Sequence, residues 1–114
     1  MGMDFYIYSA RNREVFKHDN WWNSDQVQEE FYGRKCWDLV NNCSFITKDY
    51  EPGTFIELTV DNLEEMVKVA CEYRNYFDNY NDVPKLCELR DKLMYWEDNP
   101  EEANGRKMFC GYDD

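Results

Sequence analysis

From Asp61 onward, apolar residues recur at helical spacing: Leu63, Met66, Val67 and Ala70, with Arg74 and Phe77 continuing the same stripe. This periodicity predicts an amphipathic helix over residues 61–78. Such a helix cannot leave its apolar face in water, so it demands a second layer to pack on. The start of the chain offers one. Residues 3–9 read M-D-F-Y-I-Y-S, with Phe5 and Ile7 on one face and Tyr6 and Tyr8 on the other. That is a strand buried on one side and partly covered on the other. With 114 residues there is room for one ordinary domain, 1–114, and not for two.

The remaining segments fill in an α+β order. Residues 11–23 are polar apart from Val15, Phe16, Trp21 and Trp22, and read as a loop. Asn23, Ser24 and Asp25 supply cap candidates for a helix to about residue 42, which Gly33 interrupts. Residues 44–47 and 54–60 look like strands joined by a Pro52-Gly53 turn, with Ile56, Leu58 and Val60 facing inward. Asp61 and Glu64 form a capping-box variant. Asn79-Tyr80-Asn81 ends that helix. Asp82 caps the next one, which carries Pro84 in its first turn, the stripe Leu86, Leu89, Leu93 and Trp96, and a stop at Asn99-Pro100. Residues 107–112 read as a closing strand. The expected architecture is a small, mostly antiparallel sheet with about three helices packed on one face.

Charge narrows the partners. Twenty-four acidic residues against 13 basic ones leave a net charge of −11. Direct binding to nucleic acid is not expected, because phosphates require clustered Lys and Arg. An anionic membrane is disfavoured for the same reason, and no stretch approaches 18 apolar residues. A basic protein surface is favoured, in affinity and in on-rate. No basic segment followed by an apolar run opens the chain, so no secretory leader is expected. The five cysteines are odd in number and form no C-x-x-C pair, which points to a reducing compartment such as the cytoplasm.

Catalytic and metal constellations find little support. His18 is the single histidine, and neither Ser9 nor Ser24 near it sits on a nucleophile-elbow pattern. Cys36 and Cys43 are too far apart for the close pairs of a structural zinc site. Cys36, Cys71 and Cys87 lie on or beside apolar stripes and read as core. No phosphate-cradling glycine motif or calcium loop occurs. Neither a metal nor a cofactor is expected, and an enzyme is not the expected class.

What stands out is a set of carboxylates. Asp61, Glu64, Glu65 and Glu72 occupy the face opposite Leu63 and Met66, interrupted by Lys68. Glu97, Asp98, Glu101 and Glu102 follow the last helix. Like charges on one helix face cost a few tenths of a kcal/mol per pair. These eight residues are therefore the candidate partner-binding site, the bland alternative being a solvated surface. Two aromatic features stay open. Trp21 and Trp22 either plug the core or mark a patch, and Tyr73, Tyr76, Phe77 and Tyr80 suit an interface.

The opening Met1-Gly2-Met3-Asp4-Phe5-Tyr6-Ile7-Tyr8 resembles a family of small phage-encoded proteins. Tyr32-Gly33-Arg34-Lys35 is similar to that family's aromatic-Arg-Lys segment, with an extra glycine. Leu58-Thr59-Val60-Asp61-Asn62-Leu63-Glu64-Glu65 is similar to its helix start. The Gly/Phe-rich segment usual before that family's last helix is replaced here by residues 73–80. The resemblance implies a viral or prophage setting in an infected cell. Together with the acidity it leads to one expectation: an inhibitor of a host defence protein, an anti-CRISPR that mimics DNA on a CRISPR-associated nuclease. The competing expectation is a protein that binds or sequesters a signalling nucleotide through Trp21, Trp22, Arg34 and Lys35.

Overall fold

The computed structural model describes residues 4–34, 36–49, 55–73 and 82–113. The chain is α+β. Strand β1 (Asp4–Ala10) leads into two short 3₁₀ turns, Arg13–Lys17 and Trp21–Asn23, and then into β2 (Val27–Gly33). Helices α1 (Trp37–Asn42) and α2 (Ser44–Asp49) follow, then the short β3 (Ile56–Glu57), α3 (Val60–Tyr73), α4 (Val83–Asp98), α5 (Pro100–Ala103) and β4 (Lys107–Asp113). The strands lie in the order β2-β1-β4-β3 and every neighbouring pair is antiparallel.

One face of the sheet carries the helices. Phe5 and Ile7 of β1, Phe31 of β2 and Met108 and Cys110 of β4 pack against Leu39, Ile46, Leu63, Met66, Leu86, Leu89 and Trp96. The opposite face carries an aromatic layer instead. There Phe16 stacks on Phe55 at 4.0 Å between ring centres, and Trp21 meets Tyr8 edge-on at 4.8 Å. Phe109 closes this second cluster from β4. The period-2 alternation of β1 thus serves two cores at once. Gly111 is required by this second layer, since a Cβ there would lie 3.0 Å from the Tyr6 ring and 3.2 Å from Phe55.

The first expected helix is corrected. Residues 27–33 form an edge strand, not a helix, paired with β1 from Ala10↔Val27 to Phe5↔Gly33. The apolar step from Val27 to Phe31 imitates helical spacing. In the strand a bulge sends the two to opposite faces, Val27 to the aromatic layer and Phe31 to the helices, because Ile7 opposes Phe31 while Tyr8 opposes Glu29. Glu30 is the extra residue, so Glu30 and Phe31 are both buried in succession. Gly33 ends the strand where Cys36 Sγ would lie only 2.6 Å from an added Cβ.

The expected strand over 44–47 is likewise corrected: it is helix α2. Its first turn is capped from outside, as the Ser44 N–H and Oγ–H both donate to the Glu65 carboxylate at 2.9–3.2 Å. Tertiary contact overrides the strand propensity of Phe45 and Ile46. The Pro52-Gly53 turn lies outside the described residues. The second expected strand shrinks to two residues on the edge beside β4. Its inward trio holds, with Leu58 buried and Ile56 and Val60 packed against the core.

Helix α3 begins one residue earlier than Asp61. Thr59 Oγ1 accepts from the Asn62 N–H at 3.1 Å and Asn62 Oδ1 accepts from the Thr59 N–H at 3.0 Å. This reciprocal cap, not Asp61 with Glu64, starts the helix. Its buried residues are Leu63, Met66, Val69 and Ala70, so the stripe runs through Val69 while Val67 is half-buried. The expected continuation through Arg74 and Phe77, and the stop at 79–81, lie outside the described residues. Helix α4 follows the sequence reading closely. Asp82 accepts from the Lys85 N–H at 3.1 Å, and Leu86, Leu89, Leu93 and Trp96 are all buried.

Candidate functional site

The eight candidate carboxylates do not form one surface. Glu65 is drawn off to cap α2 and is half-buried, so its role is structural. Asp61, Glu64 and Glu72 are exposed along α3, but Glu72 stands eleven positions beyond Asp61. At 1.5 Å of rise per residue that is roughly 16 Å of helix. Glu97, Asp98, Glu101 and Glu102 are exposed around the α4–α5 junction. A cleft of about 290 Å³ is lined by Leu58 and Thr59 on one side and Trp96, Glu97 and Pro100 on the other. It joins the entry of α3 to the exit of α4. Asp61 and Glu64 thereby share one end of the helical layer with Glu97, Asp98, Glu101 and Glu102, and Glu72 does not.

None of the seven exposed carboxylates has an ion pair with a cation among the described residues. Described cations serve other acids: Lys92 pairs with Glu30, Lys107 with Glu57, Lys85 with Glu88, Arg90 with Asp91 and Lys17 with Glu14. Position makes the contrast sharper. Glu101 and Glu102 open α5, where the helix dipole welcomes negative charge. Glu97 and Asp98 close α4, where it repels them, and no basic residue stands in that last turn.

Sequence reasoning missed two residues beside this acidic end. Met94 is 44% exposed and Tyr95 is 52% exposed, both on the outer face of α4. Helical spacing puts Glu88, Asp91, Tyr95 and Asp98 on one stripe with Met94 at its edge. A tyrosine and a methionine ringed by acids are the composition of a protein-interface centre with a polar rim. The signal was present: both are large hydrophobes set off the Leu86–Trp96 stripe.

The other candidates resolve individually. The adjacent tryptophans divide the two roles between them. Trp21 is packed into the aromatic layer against Tyr8, Phe16 and Phe55, whereas Trp22 is 54% exposed. Trp21 therefore fills space that a ligand pocket would need. Arg34 is exposed past the end of β2, and Lys35 lies outside the described residues. His18 is exposed at the end of the first 3₁₀ turn. Among the aromatics at 73–80, Tyr73 is half-buried against the core and the rest lie outside the described residues.

Five free thiols separate by burial. Cys36, Cys43 and Cys110 are buried, Cys87 is half-buried and Cys71 is exposed, which corrects the reading of Cys71 as core. Burial pushes the Cys36 and Cys43 thiols up to about 12, with Asp4 and Asp38 adding to the effect at Cys36 and Glu65 at Cys43. Cys110 is pushed higher still by the same desolvation. These three are packing groups, inert as nucleophiles at neutral pH. Among the described residues, no cluster of three or more His, Cys, Asp or Glu is placed to hold a metal ion. No described helix is long and apolar enough to cross a membrane.

No protein-family model, curated protein or solved structure matches the chain.

Proposed function

We propose that this protein acts by binding, not turnover, and that it docks on a basic, nucleic-acid-binding surface of another protein. The docking face is the outer side of α4 together with the acidic end it shares with α3. The observation that carries this reading is the pairing of exposed Met94 and Tyr95 with Glu97 and Asp98, which form no ion pair among the described residues. An apolar centre contributes short-range affinity, and the surrounding acids steer and select a cationic partner. The phage-like opening favours a host defence protein as target. A CRISPR-associated nuclease, whose Arg/Lys groove reads target DNA, is the member of that class we propose first.

The test is inhibition of such a nuclease across a salt series by three proteins: the parent, a charge-reversed Glu97→Lys/Asp98→Lys variant, and Tyr95→Ala. Inhibition by the parent should weaken with salt, since surface charge pairs are screened over about 10 Å at 0.1 M. Charge reversal should weaken it mostly at low salt, and Tyr95→Ala at every salt concentration. Undiminished inhibition by both variants would exclude this face. Absence of inhibition by the parent would exclude the nuclease target, and salt-sensitive capture of a different basic protein from host lysate would then redirect it.

A further inference from the structure

A second concavity opens where β1 runs out beside the turn that leads into β4, and Arg106 stands between it and the cleft at the acidic end, lining both. It has a volume of about 760 Å³, and its wall includes Arg11, Asn12, Asp25, Gln26, Asn104 and Arg106. That volume suits a small organic ligand. Two arginines line one cleft in a chain of net charge −11. Neither is neutralised by an ion pair with a carboxylate among the described residues.

Both arginines are held by hydrogen bonds that leave terminal nitrogens available. Arg11 Nε donates to the Asn104 carbonyl at 3.0 Å. Arg106 Nε donates to the Ala103 carbonyl at 3.2 Å, and one terminal nitrogen donates to Gln28 Oε1 at 3.2 Å. The Arg106 plane lies 5.2 Å from the centre of the Trp96 ring, a buried side chain that fixes its orientation. A guanidinium positioned through Nε presents its remaining N–H groups as a preformed fork for an oxyanion. The third charged group in the cleft, Asp25, has the opposite requirement. It is exposed, without an ion pair among the described residues, and can only accept hydrogen bonds when ionised.

We infer that this cleft binds a small phosphate ester that also carries hydrogen-bond donors. The phosphate sits between Arg11 and Arg106 and the donor end faces Asp25. A bare anion would satisfy the arginines and be repelled by Asp25; a ligand with both features satisfies all three. A nucleoside monophosphate has this chemistry and fits the volume. Of these residues only Arg106 also lines the cleft at the acidic end; Arg11 and Asp25, the positions varied in the test, do not.

Calorimetric titration with guanosine monophosphate and, separately, with inorganic phosphate tests it. The guanine edge offers two N–H donors to a carboxylate. The nucleotide should bind saturably with one site per chain. Arg11→Gln should weaken it about tenfold or more, the loss of one charge-assisted contact. Arg11→Lys should give an intermediate loss, because charge survives without the fork. Asp25→Asn should move the two probes in opposite directions, weakening the nucleotide and strengthening inorganic phosphate. Arg34→Gln, outside the cleft, should change nothing. No saturable binding of either probe at millimolar concentration would overturn the inference, as would nucleotide binding unchanged in Arg11→Gln. Equal strengthening of both probes in Asp25→Asn would overturn the assignment of donor chemistry.

Discussion

Replacing Lys92 with methionine isolates the most unusual packing element of the fold. The bulge in β2 turns Glu30 into the core, where its side chain is 4% exposed. Its two oxygens are held separately: Ser9 Oγ donates to Oε2 at 2.6 Å and Lys92 Nζ to Oε1 at 2.7 Å. Lys92 also lies 5.2 Å from the Trp96 ring centre. The two partners differ in their alternatives. Without Lys92, Glu30 remains a buried carboxylate with a single hydroxyl for company, a loss of about 3 kcal/mol. Without the carboxylate, Lys92 is 35% exposed and can turn its ammonium to water. Glu30→Gln keeps a partner for Ser9, so it should cost only about 1 kcal/mol.

The double variant should resemble Glu30→Gln alone, giving a coupling of about 3 kcal/mol in the cycle. For a chain of this length each kcal/mol moves the melting temperature by about 4 °C. Lys92→Met should therefore melt roughly 12 °C below the parent and Glu30→Gln roughly 4 °C below it. Urea and thermal unfolding followed by circular dichroism measure both. If Lys92→Met loses no more than Glu30→Gln, the burial asymmetry is not what sets the energetics and the reasoning fails.

Thiol burial predicts a loss of stability in alkali. In the unfolded chain Cys36 and Cys43 ionise near 9, in the folded one only near 12. The unfolded state therefore binds fewer protons in that window, so the stability present below pH 9 falls as pH rises toward 12. Cys43→Ala should flatten the slope, as read by urea unfolding at stepped pH, and Cys71 should be the first thiol alkylated in the native protein. Gly33→Ala should destabilise by about 1–3 kcal/mol through overpacking against Cys36, measured by the unfolding midpoint. Glu65→Ala should lower stability by about 1 kcal/mol by uncapping α2. Glu64→Ala, on exposed surface, should stay within about 0.5 kcal/mol. Asp98→Lys should raise the melting temperature slightly while weakening partner capture.

Much of the fold could be read directly, and the failures share a physical origin. Strand β1 and helix α4 are specified locally, by alternation in one and by a cap, a proline and a stripe in the other. Residues 27–33 were misread because a bulge places Glu30 and Phe31 on one side and destroys the period-2 signal. Residues 44–47 read as a strand and fold as a helix because their cap comes from Glu65, 21 positions away. In both cases the deciding contact is non-local. The same applies to the site. Acid counting found the carboxylates but could not know that Glu65 turns inward, or that the exit of α4 lies beside the entry of α3. Met94 and Tyr95 needed the location of the helical layer before their exposure meant anything. The two arginines of the second cleft are 95 positions apart and had no local signal at all.

Solubility alone does not account for where the charge stands. A soluble acidic protein gains as much from carboxylates at helix starts, where they also stabilise, as Asp61, Glu101 and Glu102 do here. Glu97 and Asp98 sit at a helix end, each at a penalty of about 0.3–1 kcal/mol. Lysine at either position would relieve that penalty and still leave the chain strongly acidic. Residues that oppose local stability mark places where another requirement prevails. The neighbours of Asp98 supply one, since the exposed ring of Tyr95 gives an arriving surface something to pack on. That neighbourhood separates Glu97 and Asp98 from the other acids and makes the exit of α4 the first place to mutate.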